Sequence, residues 1–404
     1  MKKASRLLSL IGSVIILLAV AARADFTAPG KNLSNSANDS LFPKVCTVTG
    51  TDDVYVCWIE TDGTNDHLTF SKSTDGGVTW RTPDELQVTG QIRDPLLSDT
   101  DNYYCLAMTV DPPYIHVVFQ WRLNDSDDFE IFYARSPDLG ENVSNWTFTQ
   151  LTNNSAASCF PDVAASGTYV HVTYQDSWPG NDEVFYKRVT DYGAGSVDQT
   201  RRLTFSSSPS NDPRIAVSQG GQSVHIVYHD PGLTTSNLFY KHIYDSGAGS
   251  YDTRQLTSGA FFNGMPEIAT STGNDQYIYI VYQSFWPGNR EIMYKRLDNY
   301  GVAPFNTYTA RLTYSSTTSQ SNSVAFDGTS NDVYVSYHDL WPGNYDVMYR
   351  KLSSYGGGGF TSQRVSWGVG TSNHSTVGAA GSSAWVAWSD NTSGNYEVYI
   401  KKGS

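Results

Sequence analysis

Glu183-Val184-Phe185-Tyr186-Lys187-Arg188 is a phrase that this 404-residue chain repeats. Variants of its first four residues stand at His67–Phe70, Glu130–Tyr133, Asn237–Tyr240, Glu291–Tyr294, Asp346–Tyr349 and Glu397–Ile400. A second apolar-aromatic stretch precedes each one and ends at Trp58, Phe119, Tyr174, Tyr228, Tyr282, Tyr337 or Trp388. In Val224-His225-Ile226-Val227-Tyr228 every second residue can face a packed layer, as in a strand. A shorter small-residue strand comes earlier in the unit, as at Val163-Ala164-Ala165 and Ile215-Ala216-Val217. A fourth follows the phrase, as at Arg202-Leu203-Thr204 and Arg311-Leu312-Thr313.

Each unit therefore holds four antiparallel strands, A to D, in roughly 50 residues, the length of one propeller blade. A single four-stranded sheet cannot bury both faces, and stacking blades around an axis does so. The seventh unit stops after strand C. Lys31-Asn32-Leu33-Ser34 near the other end matches strand D in kind and can complete that blade. The sequence thus predicts an all-β fold: one seven-bladed propeller of four-stranded blades over residues 25–404, closed by the N-terminal strand, with almost no helix.

Residues 1–24 read as a secretory signal peptide. Lys2, Lys3 and Arg6 precede an apolar run from Leu7 to Val20, and Ala22-Arg23-Ala24 is a small-x-small cleavage site. No second apolar run follows, so no membrane span is expected. The formal net charge of -13 argues against nucleic acid as a partner. Export permits disulfides, and Cys46–Cys57 and Cys105–Cys159 are the expected pairs. A monomer is expected.

Ser73-Thr74-Asp75-Gly76-Gly77-Val78-Thr79-Trp80 follows strand C of the first blade. It resembles the Asp-box (BNR) repeat of the sialidase superfamily, with Ser73, Asp75, Gly77 and Trp80 at its key positions. Ser136-Pro137-Asp138-Leu139-Gly140, with Trp146 later, resembles a second copy. The resemblance implies a propeller and a structural role for these residues, away from any active site. Sialidases also carry an Arg-Ile-Pro stretch, three arginines that clamp a carboxylate, a Tyr/Glu nucleophile pair and an acid Asp, usually on six blades. This chain has no Arg-Ile-Pro, and none of the clamp residues carries over.

Ligands in propellers meet the face formed by the B–C loops and D–A links. Three B–C loops share Trp-Pro-Gly-Asn, at Trp178–Asn181, Trp286–Asn289 and Trp341–Asn344. Trp178, Trp286 and Trp341 are read either as platforms for sugar rings or as packing between blades. The recurrent acids beside these loops and at the start of strand C are expected to bond turn N–H groups and nearby basic residues. Lys187-Arg188 and its repeats read as a solvated edge.

Catalytic groups should break the repeat. Arg93, Asp94, Arg122, Arg214, Glu267, His229, His338 and His374 do so, with Arg214, Glu267, Arg122 and Asp94 the catalytic candidates; a solvated role is the simpler expectation for each. No cofactor is implied; Asn124–Asp128 is the one stretch whose oxygens could hold Ca²⁺. The function read from the sequence is a secreted propeller that binds a glycan or another extracellular partner, such as a cell-surface or secreted protein, without catalysis. The alternatives are a sialidase-like glycoside hydrolase and a polysaccharide lyase, which needs a neutralising cation and a His or Tyr base, with His229 and His338 ungrouped candidates.

Overall fold

A computed structural model describes residues 29–403 except 91–104, 123–127, 219, 232–234, 273–275, 287, 303–304 and 342. The expected signal peptide, Arg93, Asp94 and nearly all of the candidate Ca²⁺ stretch lie outside the described residues. The described residues form seven four-stranded antiparallel sheets. They contain no α-helix, only four 3-10 turns, and no helix long and apolar enough to cross a membrane.

The order of strands in each sheet is A-B-C-D, as in Ser158–Ser166, Tyr169–Asp176, Glu183–Val189 and Val197–Arg202 of blade 3. Inner strands of consecutive blades touch all the way round, blade 7 against blade 1 included. Lys31–Asn32 pairs with Glu397–Gly403, placing Lys31 opposite Ile400. The expected ring and its closure are thus both present.

Seven apolar clusters fill the seven interfaces between blades, one per interface. Alternation in the B and C strands supplies them: one set of side chains packs on the preceding blade and the other on the following one. The C–D turns lock the same interfaces. A Cβ on Gly193 of blade 3 would overlap the Tyr133 hydroxyl of blade 2, and one on Gly247 of blade 4 would overlap the Tyr186 hydroxyl of blade 3. Both glycines have positive φ, 81° and 84°, so the position excludes a side chain twice over. Blade 1 meets blade 7 through Ser73–Trp80: the Trp385 indole N–H donates to the Gly76 carbonyl (3.1 Å). Within that turn Gly77 N–H donates to Ser73 Oγ (2.8 Å), Thr79 N–H to Asp75 (2.8 Å) and Trp80 Nε1–H to the Gly77 carbonyl (3.0 Å). Ser136, Asp138 and Gly140 repeat the pattern.

Inner strands carry a device of their own. Among the described residues, a β-bulge interrupts pairing with strand B in six inner strands. The bulge contains a left-handed residue: Phe42, Phe160, Asp212, Met265, Ser321 or His374. In four blades proline follows it, which suits a bulge because no ladder N–H is needed there. The next residue, Lys44, Asp162, Arg214, Glu267, Ser323 or Thr376, faces the axial cavity.

The expected disulfides are not formed. The hairpin that joins Thr47 to Val54 sets Lys44, not Cys46, opposite Cys57, and puts Cys46 opposite Tyr55. Cys46 and Cys57 are then diagonal neighbours, with Cβ separations of the order of 7 Å, beyond the ~4 Å a disulfide requires. The Cys46 thiol lies 3.1 Å from the Met108 carbonyl instead. No S–S bond joins Cys105 and Cys159 either.

Candidate functional site

The loop face is ringed with aromatic side chains. Trp178, Trp286 and Trp341 are 63%, 57% and 64% exposed, which rules out the packing role between blades. Their loops are held from beneath. Asn181 Nδ2 donates to the carbonyls of Ser206 and Ser208 (3.2 and 3.1 Å), and Asn289 and Asn344 anchor their loops to the next link in the same way. Asp176 and Asp339 accept the backbone N–H of Trp178 and Trp341 (2.7 and 2.6 Å). Gly180, Gly288 and Gly343 share φ of 106–109°. Each loop is thus anchored at its asparagine, and its indole is exposed to solvent.

Three more exposed aromatics join them from the D–A links: Phe205 (70%), Tyr314 (68%) and Trp367 (68%). Each lies under a strand D arginine, with Arg202, Arg311 and Arg364 at 4.6, 4.4 and 4.4 Å from the ring centroids. Those arginines are fixed by strand C acids; Arg202 and Arg311 pair with Glu183 and Glu291 at 2.9 Å, and Arg364 pairs with Asp346. The acids thus have the structural role expected of them. The aromatics were legible as Arg-Leu-Thr-Phe, Arg-Leu-Thr-Tyr and Arg-Val-Ser-Trp at 202–205, 311–314 and 364–367, a pattern hidden by reading only the strand.

A second feature is the axial cavity of about 290 Å³. Lys44, Asp162, Arg214 and Glu267 enter it from four inner strands, after the bulge and its proline. Arg214 Nε meets Glu267 Oε1 at 3.1 Å, both side chains largely buried. Asp162 Oδ2 accepts the Ile215 N–H of the next blade (2.8 Å). Burial pushes the Asp162 carboxyl up to about 6 against the pull of Arg214, with Glu267 adding to the rise. Arg214 and Glu267 are therefore an inter-blade ion pair, not solvated surface. Asp162 and Lys44 were missed by sequence reading. The signal was Pro-charge at 43–44, 161–162, 213–214 and 266–267, the same place in four blades.

The remaining candidates separate. His229 is buried in a relay: Nδ1 lies 2.7 Å from Ser236 Oγ and Nε2 lies 3.0 Å from Asp212 Oδ2. Ser236 donates onward to the Asn263 carbonyl (3.0 Å), tying blade 4 to blade 5. That hydroxyl is buried and committed, so the relay is a clamp. Arg122 stacks on Phe129 at 4.8 Å. His338, in contrast, is grouped: its ring lies 4.7 Å from Tyr345, whose hydroxyl accepts Gln320 Nε2–H (3.1 Å), and Gln320 in turn accepts Arg290 Nη1–H (2.8 Å). Burial holds His338 well below its ordinary value, with His374 and Arg290 adding to the effect. Tyr345 and Arg290 were not singled out from sequence. No group of three or more acidic, His or Cys side chains suited to a metal gathers among the described residues.

Known structures share this architecture at low identity. Polysaccharide lyase Uly1 superposes with a TM-score of 0.57 and 9% identity, over 93% of this chain and 91% of that one. The endosialidase of phage phi92 superposes at 0.53 and 11% identity, over 93% of this chain and 69% of that one. A Trypanosoma rangeli sialidase gives 0.48 at 10% identity over 74% of this chain, which spans about half (53%) of that protein's length. The first two likenesses are of fold alone. No protein-family model matches the sequence, and no curated protein is significantly similar to it.

Proposed function

We propose that the protein is a secreted glycan-binding propeller that holds a polysaccharide across its aromatic face without turnover. The carrying observation is the exposure of Trp178, Trp286 and Trp341 on three loops whose glycines share one backbone conformation. An indole offers a sugar C–H face an apolar platform of the order of 1 kcal/mol beyond area burial. One platform is weak; several on one ring act together on a polymer through effective concentration. That lyases and sialidases share the fold supports a carbohydrate ligand. The test is affinity electrophoresis against soluble polysaccharides, with Trp178→Ala, Trp286→Ala and Trp341→Ala beside the parent. Retardation by a polymer, weakened in each variant and absent with monosaccharides, supports the reading. No retardation across acidic and neutral polymers removes it.

A second reading is polysaccharide cleavage by elimination. The observation favouring it is the grouping of a buried His338 with the partly exposed Tyr345 and Arg290. A lyase needs a neutral base to take the proton beside a carboxylate and a cation to offset the charge that develops; burial keeps His338 neutral. Unsaturated product in an ultraviolet assay, lost in His338→Ala, would establish it. A hydrolase reading rests on the carboxylates Asp162 and Glu267 around Arg214. It requires release of sialic acid from a fluorogenic sialoside, abolished by Arg214 or Glu267 changes.

A further inference from the structure

Three departures from the repeat coincide in blade 6. Its loop keeps the tryptophan, Trp341, and the link entering it carries an exposed aromatic, Tyr314. Blades 3 and 5 have the tryptophan but Asn153 and Ser258 at the link position; blades 4 and 7 have Phe205 and Trp367 at the link but no loop tryptophan. Trp341 and Tyr314 line one cleft of about 370 Å³, at the small end of ligand pockets and suited to one ring rather than a chain.

The third departure is Arg350, which lines the same cleft. Its position in strand C is Lys187, Lys241 and Lys295 in blades 3, 4 and 5. Each of those lysines donates to a threonine of strand D, Thr200, Thr253 and Thr309 (3.1, 2.6 and 2.7 Å); they are half-buried or buried, not the solvated edge expected. Arg350 instead stacks on Phe360 (4.3 Å) and turns Nε to the Tyr337 hydroxyl (3.3 Å). Its Nη1 is buried and makes no hydrogen bond. An unsatisfied buried guanidinium N–H is costly, and its strongest partner is a carboxylate. Asp339 also borders the cleft, but its oxygens already accept Trp341 N–H, Ser319 Oγ–H and Ser315 Oγ–H (2.6, 2.7 and 3.0 Å).

We infer that the blade 6 cleft is a subsite for one carboxylated sugar ring, a hexuronate, lying between Trp341 and Tyr314 with its carboxylate on Arg350. The inference rests on the glycan-binding reading and adds to it a ligand class and an off-axis place. Asp339 opposes an anionic ligand at short range and Arg350 must outweigh it; the overall negative charge acts at longer range, where salt at about 0.15 M screens beyond roughly 8 Å.

The probes are trigalacturonate and its carboxyl-reduced counterpart, titrated calorimetrically into the full chain at that salt concentration. The expected result is at least tenfold tighter binding of the acid. Arg350→Met should erase the preference while leaving the reduced trisaccharide's affinity unchanged, and Trp341→Ala should weaken both ligands. Thermal melts confirm that each variant is folded. Arg350→Lys, which restores the residue of blades 3, 4 and 5, keeps the fold and recovers only part of the preference. Equal affinities in the parent, or a preference that survives Arg350→Met, overturn the subsite while the glycan-binding reading stands on Trp178 and Trp286. Failure of both trisaccharides and of every polymer removes both.

Discussion

The Leu33 amide donates to the Val398 carbonyl across 2.8 Å, joining the two ends of the described chain inside blade 7. Leu33 is buried with Trp58, Val398 and Ile400, and Glu397 accepts the Ser36 N–H (3.1 Å) and the Ser34 hydroxyl. Deleting residues 25–36 strips an apolar anchor and leaves that carboxylate without these donors. The loss should be about 3 kcal/mol or more. Chemical denaturation of the shortened protein reads it; an unchanged midpoint means that the seal is not structural.

The exposed tryptophans make a contrasting case. Because Trp178, Trp286 and Trp341 project into solvent, changing each to alanine should alter stability by no more than about 0.5 kcal/mol. Trp385, which clips blade 1 to blade 7, should cost about 3–5 kcal/mol. A loss at Trp178 as large as that at Trp385 in parallel thermal melts would contradict the exposed geometry.

Gly193→Ala tests the interlock of turn and neighbouring blade. The methyl would overlap the Tyr133 hydroxyl, and overpacking costs about 1–3 kcal/mol on top of about 1 kcal/mol for a left-handed non-glycine residue. Gly167, φ 62°, has nothing within 4 Å of its would-be Cβ, so Gly167→Ala isolates the backbone share. Urea titrations of the two variants should differ clearly. Equal losses would show that Tyr133 yields without cost.

The Arg214–Glu267 pair should behave as a buried ion pair. Arg214→Leu leaves Glu267 without its ion-pair partner and Asp162 with Lys44 as its remaining cation, and should cost about 3 kcal/mol or more. Arg214→Leu with Glu267→Leu should recover most of that loss. A double-mutant cycle that comes out additive would mean that the two side chains do not depend on each other.

The architecture was legible because it repeats. One four-strand phrase, seen seven times, specifies pairing, blade count and even the missing strand at Lys31. Site residues are harder to read because they sit where the repeat changes role. Asp162 follows a bulge that inserts one residue and re-aims it toward the axis, so strand alternation places it wrongly. Cys46 misses Cys57 because the hairpin pairs Thr47 with Val54, a register that the turn sets and the strand pattern does not. Trp178 is a short apolar-aromatic insertion in a turn, and residue type alone does not tell platform from packing; its exposure to solvent excludes the packing. His338 finds Tyr345 only because the B–C loop folds back, a contact that no spacing in the sequence encodes.

Acid should destabilise this fold through its histidines. His116, His171 and His225 sit in the B strands, each sharing a hydrogen bond with a strand C tyrosine (2.6, 2.7 and 2.7 Å). Burial pushes His116, His171 and His374 down to about 3 and holds His225 and His338 well below their ordinary value. Unfolded histidine titrates near 6.5. Below that pH the unfolded chain takes up protons that the folded chain refuses, so stability falls, by about 1.4 kcal/mol per pH unit for each such group. The loss continues until the folded value near 3. Carboxylates raised by burial, Asp162 first among them, act in the opposite sense between about 4 and 6, where the folded state keeps a proton that the unfolded state has released. They blunt the fall without reversing it. His171 isolates one histidine's share: Arg188 and Asp198 flank it with opposing effects, and Tyr186 is its bonding partner. Between pH 7.5 and 5.0 the parent should lose stability steeply, and His171→Asn should lose about 2 kcal/mol less over the same interval. Denaturant midpoints at the two pH values measure both drops; parallel drops in parent and variant would show that His171 is protonated in the folded protein as readily as in the unfolded chain.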